Sequence, residues 1–319
     1  MSRQRIALVG AGVMGSHHAR VISQSPSADL VALVDPSPDT GRLVADRYGA
    51  RWSPELPDLD DVDGVVVAAP TEYHRRIALD VLESGTPLLI EKPVAADLGV
   101  TREILAVADG RDIPLMCGFL ERFNPAVLTA ASIVEAPVHL TAVRHSPYAP
   151  RIRTGVGWDL LVHDVDLALR FLGDEPTRVR SSLGHFHPTS GPDSEDVAEA
   201  VLGYADGGVA HVSASRVGQR KIRQLSIYEL DRLVEVDLLR RDVTVYRHVS
   251  ENSADGEGRG YRQQTVIEIP EMLTSQEPLT AQFEKFLSLA AGQGDASAER
   301  ASVLPAHVVV DQVISGGLG

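Results

Sequence analysis

Four apolar residues at 6–9, Ile-Ala-Leu-Val, run without a spacer into Gly10-Ala-Gly12-Val13-Met14-Gly15. The run is too short for a stable helix and is bounded by glycine, which predicts a buried parallel strand. A helix opens at once. Gly10 permits the tight turn, Gly12 admits a pyrophosphate to the backbone, and Gly15 lets helix and strand pack closely. The first helical residues, Val13 and Met14, carry N–H donors at the positive end of the helix dipole. A second apolar run at 31–34 ends in Asp35, placed to accept hydrogen bonds from a ribose diol. The combination predicts a dinucleotide site. NAD is preferred, because the Asp35 carboxylate repels a 2′-phosphate, and Ser37 as a phosphate contact keeps NADP as the less favoured alternative.

With 319 residues the chain has room for two domains with full cores. Its 44 acidic against 30 basic residues, a formal net charge of −14, argue against a nucleic-acid or anionic-membrane surface. One cysteine allows no intramolecular disulfide and fits a cytoplasmic protein, with Cys117 expected to be buried and inert. Arg3 and Arg5 precede only four apolar residues, so the beginning reads as a strand and not a signal peptide. No stretch approaches the roughly 20 apolar residues of a membrane span.

The first part of the chain alternates predicted helices at 14–24, 39–48, 74–84 and 98–109 with strands at 64–69, 87–90 and 114–118. That rhythm means a doubly wound parallel sheet, a Rossmann-type dinucleotide-binding domain over 1–120. Ligands of such sheets lie at the carboxyl ends of the strands, where Gly10, Asp35, Pro70 and Lys92 fall. From 121 to 319 the pattern changes to a second α/β domain for substrate binding and oligomerisation. A helix starts near Asn124, a strand covers 138–143, and a helix runs over 158–172. Segments 178–186, 196–204, 208–216, 222–230, 233–238 and 243–248 then build a large, mostly antiparallel open sheet. Residues 250–260, rich in Gly, Glu, Asp and Ser, are expected to form a mobile loop. An amphipathic helix at 278–291 covers a core, and a last helix at 302–315 is free to pack back on the first domain.

Two constellations carry chemistry. In Glu91-Lys92-Pro93, at a strand end, the proline restricts the lysine backbone, favours a cis bond and aims the side chain into the cleft. A lysine there hydrogen-bonds a substrate hydroxyl and stabilises alkoxide character as hydride leaves. In the predicted helix at 158–172, Asp159, His163, Asp166 and Arg170 are spaced to share one face. Asp159 and His163 at i, i+4 make an oriented general base for alcohol oxidation, while Asp164 and Asp166 read as structural partners of arginine. No third soft ligand accompanies the His163 cluster, so no metal is expected.

Gly-Ala-Gly-Val-Met-Gly at 10–15, Ala-Pro-Thr-Glu-Tyr-His at 69–74, Glu91-Lys92-Pro93, Gly-Phe-Leu-Glu-Arg-Phe-Asn-Pro at 118–125 and the D-x-x-x-H-x-x-D helix occur in this order. The chain thereby resembles the Gfo/Idh/MocA oxidoreductase family over essentially its whole length. The resemblance implies a catalytic Lys92, an Asp159–His163 dyad acting on a secondary alcohol, and a large sheet that forms homodimers or homotetramers. It puts Pro70, Thr71, His74 and Glu91 along the dinucleotide, and Arg122, Asn124 and Arg144 against nicotinamide or substrate. The usual glycine run departs here to Gly155-Val-Gly157-Trp158. Glu-Arg-Phe-Asn-Pro at 121–125 is similar to members that oxidise nucleotide-linked amino sugars at C3. Arg144, Tyr148 and the arginines up to Arg153 offer groups for a phosphate or carboxylate. The dyad helix equally resembles inositol dehydrogenases, which act on cyclitols, and a non-catalytic NAD-binding sensor shares the same fold.

Overall fold

The computed structural model describes residues 3–150, 152–173, 175–191, 194–253 and 260–316. The chain divides into two units, Met1–Leu120 with Glu277–Asp311 and Glu121–Gln276 with Gln312–Gly319.

In the first unit β1 (Gln4–Val9), β2 (Ala28–Val34), β3 (Arg51–Ser53), β4 (Gly64–Val67), β5 (Leu88–Ile90) and β6 (Leu115–Cys117) form a parallel sheet in the order β3-β2-β1-β4-β5-β6. The order reverses between β1 and β4, which opens a crevice at the carboxyl ends of those strands. Val65, Val66, Val67, Leu88 and Ile90 are fully buried, as the continuous apolar runs require when both faces are covered. Connecting helices α1 (Val13–Gln24), α2 (Pro38–Tyr48), α3 (His74–Glu83) and α4 (Leu98–Gly110) lie between the strands in sequence. Ser37 caps α2, Asp97 caps α4, and Gly49 ends α2 at a left-handed φ of 71°. Cys117 is buried. The short strand β3, with a single apolar residue Trp52, is an addition to the expected elements; it is held by pairing to Ala32–Val34 of β2.

The second unit holds α5 (Pro125–Ile133) and an eight-stranded sheet in the order β14-β13-β12-β11-β7-β10-β9-β8. Its strands are β7 (His139–His145), β8 (Arg178–Gly184), β9 (Val197–Gly203), β10 (Val209–Ser215), β11 (Ile222–Tyr228), β12 (Arg232–Asp237), β13 (Asp242–Ser253) and β14 (Gly260–Glu268). All pairings are antiparallel except β7 with β10. Burial alternates along β7: Leu140, Ala142 and Arg144 face the core while the residues between them are half-buried. Helix α6 (Val162–Leu172) lies against β7 and β10 with Val162, Val165, Leu167 and Ala168 fully buried. Gly173 ends it at φ 84°.

Two expectations for this unit are corrected. The helix at 158–172 does not begin as an α-helix: Gly157–Leu161 is a π turn, closed by the Val162 N–H donating to the Gly157 carbonyl. Within α6 itself Asp166 is buried, while Arg170, one turn further on and near the end of the helix, is exposed. The loop expected at 250–260 is replaced at its ends by β13 and β14, which pair from Ser250 to Ser253 against Gly260 to Gln263. Residues 254–259 of that loop lie outside the described residues.

Helices α7 (Pro278–Ala290), α8 (Ala296–Ala301) and α9 (Leu304–Ile314) divide the predicted C-terminal region. Within the first unit, the Phe286 ring occupies the space a Cβ would need at Gly64, and Gln4 Nε2 donates to the Leu287 carbonyl at 3.0 Å. Arg300 donates to Asp109, Asp112 and the carbonyl of Ile113. Among the described residues no helix is long and apolar enough to cross a membrane.

Candidate active site

At the β1–α1 turn the three glycines have separate reasons. Gly10 stands at φ 99°, and a Cβ there would lie 2.6 Å from the Ala68 carbonyl oxygen. A Cβ on Gly15 would sit 1.9 Å from the Gly10 oxygen. Gly12 has nothing within 4 Å of its missing Cβ, so the space beside it is open. It is also the N-cap of α1, with no side chain capping the first-turn N–H groups and no acid in that turn. Val13 is exposed and Met14 half-buried beside them. Asp35 Oδ2 accepts the Ala11 N–H at 2.7 Å and Oδ1 the Ser37 N–H at 2.8 Å, which fixes the carboxylate at the end of β2. A cleft of about 510 Å³ lies alongside, lined by Gly10, Asp35, Pro36, Ala69, Pro70 and Tyr73 among others. Open space at Gly12, uncapped donors and a fixed carboxylate fit a dinucleotide, with its pyrophosphate on α1 and a ribose on Asp35.

Pro70 and Thr71 start a 3₁₀ turn (Thr71–Tyr73) at the end of this crevice. His74, at the start of α3, is buried, and both its ring nitrogens face carbonyls: Nδ1 those of Pro93 at 3.0 Å and Val94 at 3.2 Å, Nε2 that of Ala69 at 2.9 Å. Burial lowers its proton affinity against the pull of these carbonyls and of Glu91. The Glu91 carboxylate is 2.8 Å from His18 Nε2. Burial pushes that carboxyl up, but His18 and the neighbouring Lys92 charge outweigh it and hold it below the ordinary carboxylate range. Gly118 makes room, since a Cβ there would be 2.7 Å from Glu91 Oε2. Lys92 is half-buried, and its peptide bond to Pro93 is cis.

In the second unit Asp159 lies in the π turn and His163 in the first turn of α6, both half-buried. The turn is seated on Glu195, whose Oε1 accepts the Gly157 N–H at 2.6 Å. A Cβ on Gly155 would come within 2.1 Å of the same carboxylate, so the glycines at 155 and 157 make room for an acid from another segment. Below the turn a ladder of ion pairs crosses the covered face. Arg144 donates to Asp164 at 2.8 and 2.9 Å and to Glu121 at 2.9 Å, and Arg122 grips Asp166. Burial disfavours the Arg144 cation, but the Asp164 and Glu121 charges raise its pKa, so it stays ionised. Asn124 is spent as well: its Oδ1 caps α5 and its Nδ2 donates to Glu121 and the Leu238 carbonyl. Tyr148 stacks on His187 and bonds Thr189 at 2.6 Å, while Arg151 lies outside the described residues.

Arg223 on β11 differs. It pairs in register with Arg144 and shares its face, yet its nearest carboxylate contact is Glu121 at 3.8 Å and its side chain keeps 34% exposure. Nε has no hydrogen-bond partner among the described residues. Burial and the adjacent Arg144 lower its pKa, against the attraction of Glu121, Asp164 and Asp159. No group of three or more His, Cys, Asp or Glu side chains among the described residues is arranged to hold a metal ion.

Comparison with known proteins adds to this geometry. The model of the oxidoreductase family with an NAD-binding Rossmann fold matches residues 4–119, and that of the GFO/IDH/MocA C-terminal domain matches residues 134–228. The chain belongs to the Gfo/Idh/MocA family. Among its Gfo/Idh/MocA relatives, UDP-N-acetylglucosamine 3-dehydrogenase from Acidithiobacillus ferrooxidans is 31% identical over 292 residues, 90% of this chain and 89% of the relative. A solved structure of that enzyme covers 99% of this chain and 98% of its own, with a TM-score of 0.84 and 27% identity. Inositol 2-dehydrogenase from Rhizobium meliloti is 29% identical over 226 residues, 66% of this chain and 68% of the relative. Levoglucosan dehydrogenase in complex with NADH and levoglucosan, 19% identical, shares the fold at a TM-score of 0.80 over 99% and 97% of the two chains. As a Gfo/Idh/MocA member the chain is a dehydrogenase of the class that acts on CH–OH groups.

Four polar residues around these sites escaped the sequence reading: His18, His307, Glu195 and Arg223. Each histidine interrupts an apolar helix face, which is the one signal it offers. Glu195 and Arg223 become visible only when distant segments meet.

Proposed function

We propose that the protein is an NAD-dependent dehydrogenase of a secondary hydroxyl on a sugar, with a nucleotide-linked amino sugar as first candidate and a cyclitol as second. The similarity to UDP-N-acetylglucosamine 3-dehydrogenase, spread over 90% of this chain against 66% for the inositol relative, carries this ranking. Bound NAD supplies the hydride-accepting nicotinamide. Lys92 donates a hydrogen bond to the reacting oxygen and stabilises its developing negative charge. His163 takes the hydroxyl proton as the carbon–oxygen bond becomes a carbonyl, and Asp159 orients the imidazole and favours its cation.

The contacts described above support a redistribution of the binding roles. Gly10, Gly12, Val13, Met14, Gly15, Asp35, Pro70 and Thr71 remain the dinucleotide residues. Ser37 caps α2 through its hydroxyl and offers its N–H to Asp35, which supports NAD over NADP. Arg122, Arg144 and Asn124 serve as the frame of the substrate region, and Arg223 replaces Arg144 as the guanidinium offered to substrate. Tyr148 is retained as a substrate contact.

The test is absorbance at alkaline pH with NAD or NADP and UDP-N-acetylglucosamine, free sugars or inositols. NADH formation with the nucleotide sugar is expected, and faster turnover with NADP or with inositols alone sinks the corresponding assignment. His163→Ala lowers kcat by about 10²–10⁴-fold while leaving the NAD dissociation constant unchanged. Small, equal losses in both remove His163 from the role of base.

A further inference from the structure

The segment after β5, residues 91–94, belongs to no helix or strand, yet Pro93 and Val94 are buried. Backbone groups there have no ladder to join and need other partners. Three histidines from three helices provide anchors. His18 on α1 holds the Glu91 carboxylate at 2.8 Å. His74 on α3 stands against the carbonyls of Pro93 and Val94 on one side and of Ala69 on the other. His307 on α9 accepts the Val94 N–H at Nε2, 3.1 Å, so its Nδ1 carries the proton and donates to the Val303 carbonyl at 2.9 Å. All three rings are at most 1% exposed. The Glu91 N–H is held as well, donating to the Val67 carbonyl at 2.9 Å. Lys92 therefore has an anchored residue before it and two after it.

We infer that His18, His74 and His307 are positioning residues for Lys92, acting through the 91–94 segment so that its ammonium reaches the substrate oxygen without reorganisation. Apolar side chains would fill the same volumes without the cost of burying imidazoles. His74 lies between this segment and the Ala69 carbonyl that follows β4, and its single N–H in the neutral ring donates to one side or the other. The inference rests on the proposed role of Lys92, and its test separates the two.

The full-length protein is assayed with NAD and UDP-N-acetylglucosamine as wild type, Lys92→Met, His307→Leu, His307→Gln and the double variant Lys92→Met/His307→Leu. Displacing a catalytic group by about 1 Å costs up to about 10²-fold, so His307→Leu is expected to lower kcat by about 10- to 100-fold with the NAD dissociation constant unchanged. Glutamine, which restores an acceptor for Val94, recovers most of that loss. In the Lys92→Met background His307→Leu has no further effect, because the group it positions is gone. Equal losses in both backgrounds overturn the inference and leave His307 a structural residue. Wild-type turnover by Lys92→Met instead overturns the role of Lys92. His18→Leu and His18→Gln repeat the comparison should His307→Leu fail to fold.

A second readout needs no substrate. The sequence contains only three lysines, Lys92, Lys221 and Lys285, so ¹³C-dimethylated protein gives a resolvable signal for Lys92. In the NAD complex His307→Leu is expected to shift or broaden that signal and His307→Gln to return it. An unmoved signal in His307→Leu overturns the inference.

Discussion

At the carboxyl end of the first sheet, the groups offered to a ligand are backbone N–H donors, the space beside Gly12 and one carboxylate, Asp35. On the covered face of the large sheet, Arg122, Arg144, Asp164 and Asp166 spend their charges on one another. The first arrangement depends on space, since a Cβ at Gly10 or Gly15 meets backbone. The second depends on charge balance: a buried ion pair barely exceeds its desolvation cost, but removing one partner strands the other. One region is tuned for binding and sensitive to volume. The other is a frame, sensitive to charge, beside which Arg223 keeps 34% of its side chain exposed.

Three single substitutions and one double variant sharpen this contrast. Arg144→Met leaves Asp164 and Glu121 buried without their cation and is expected to cost about 3–5 kcal/mol in urea unfolding. Adding Asp164→Leu recovers part of that loss, and a single variant as stable as wild type breaks the idea of a charge-balanced frame. Gly12→Ala, with nothing within 4 Å of the new methyl, leaves unfolding within about 1 kcal/mol. It weakens NAD binding by about 10- to 100-fold in a calorimetric titration, because the methyl fills the space of the pyrophosphate. Unchanged affinity would move the pyrophosphate elsewhere. Arg223→Met, the mildest, raises KM for the sugar by about tenfold at nearly constant kcat. A loss of stability without a change in KM would return Arg223 to the frame.

The same division governs what was legible in the chain. The cradle is written in consecutive residues from 10 to 15 plus Asp35, and turn geometry translates that spacing into position. The parallel strands were legible because burial on both faces leaves unbroken apolar runs. Strand β14 was not, because Gln264, Thr265, Ile267 and Glu268 are exposed at the sheet edge and no apolar face encodes the element. The π turn was hidden by a heptad-like pattern at 158–172 that suits an α-helix equally well, and what seats it is Glu195, 38 residues from Gly157. What the spacing could not tell is that Arg122, Asn124 and Arg144, expected against substrate, also donate to Asp166, Glu121, Asp164 and the Leu238 carbonyl, most of them partners brought in from distant segments.

Because residues 1–120 and 277–311 belong to one unit while residues 121–276 of another unit are translated between them, the Lys92 segment waits for that later stretch to be made. A ribosome that has finished β6 has made Gly12, Asp35 and Lys92, yet neither Phe286 to cover Gly64 nor His307 to take the Val94 N–H. The first unit is thus closed by a late strap, and a nascent or prematurely terminated chain holds its lysine on an incompletely anchored loop.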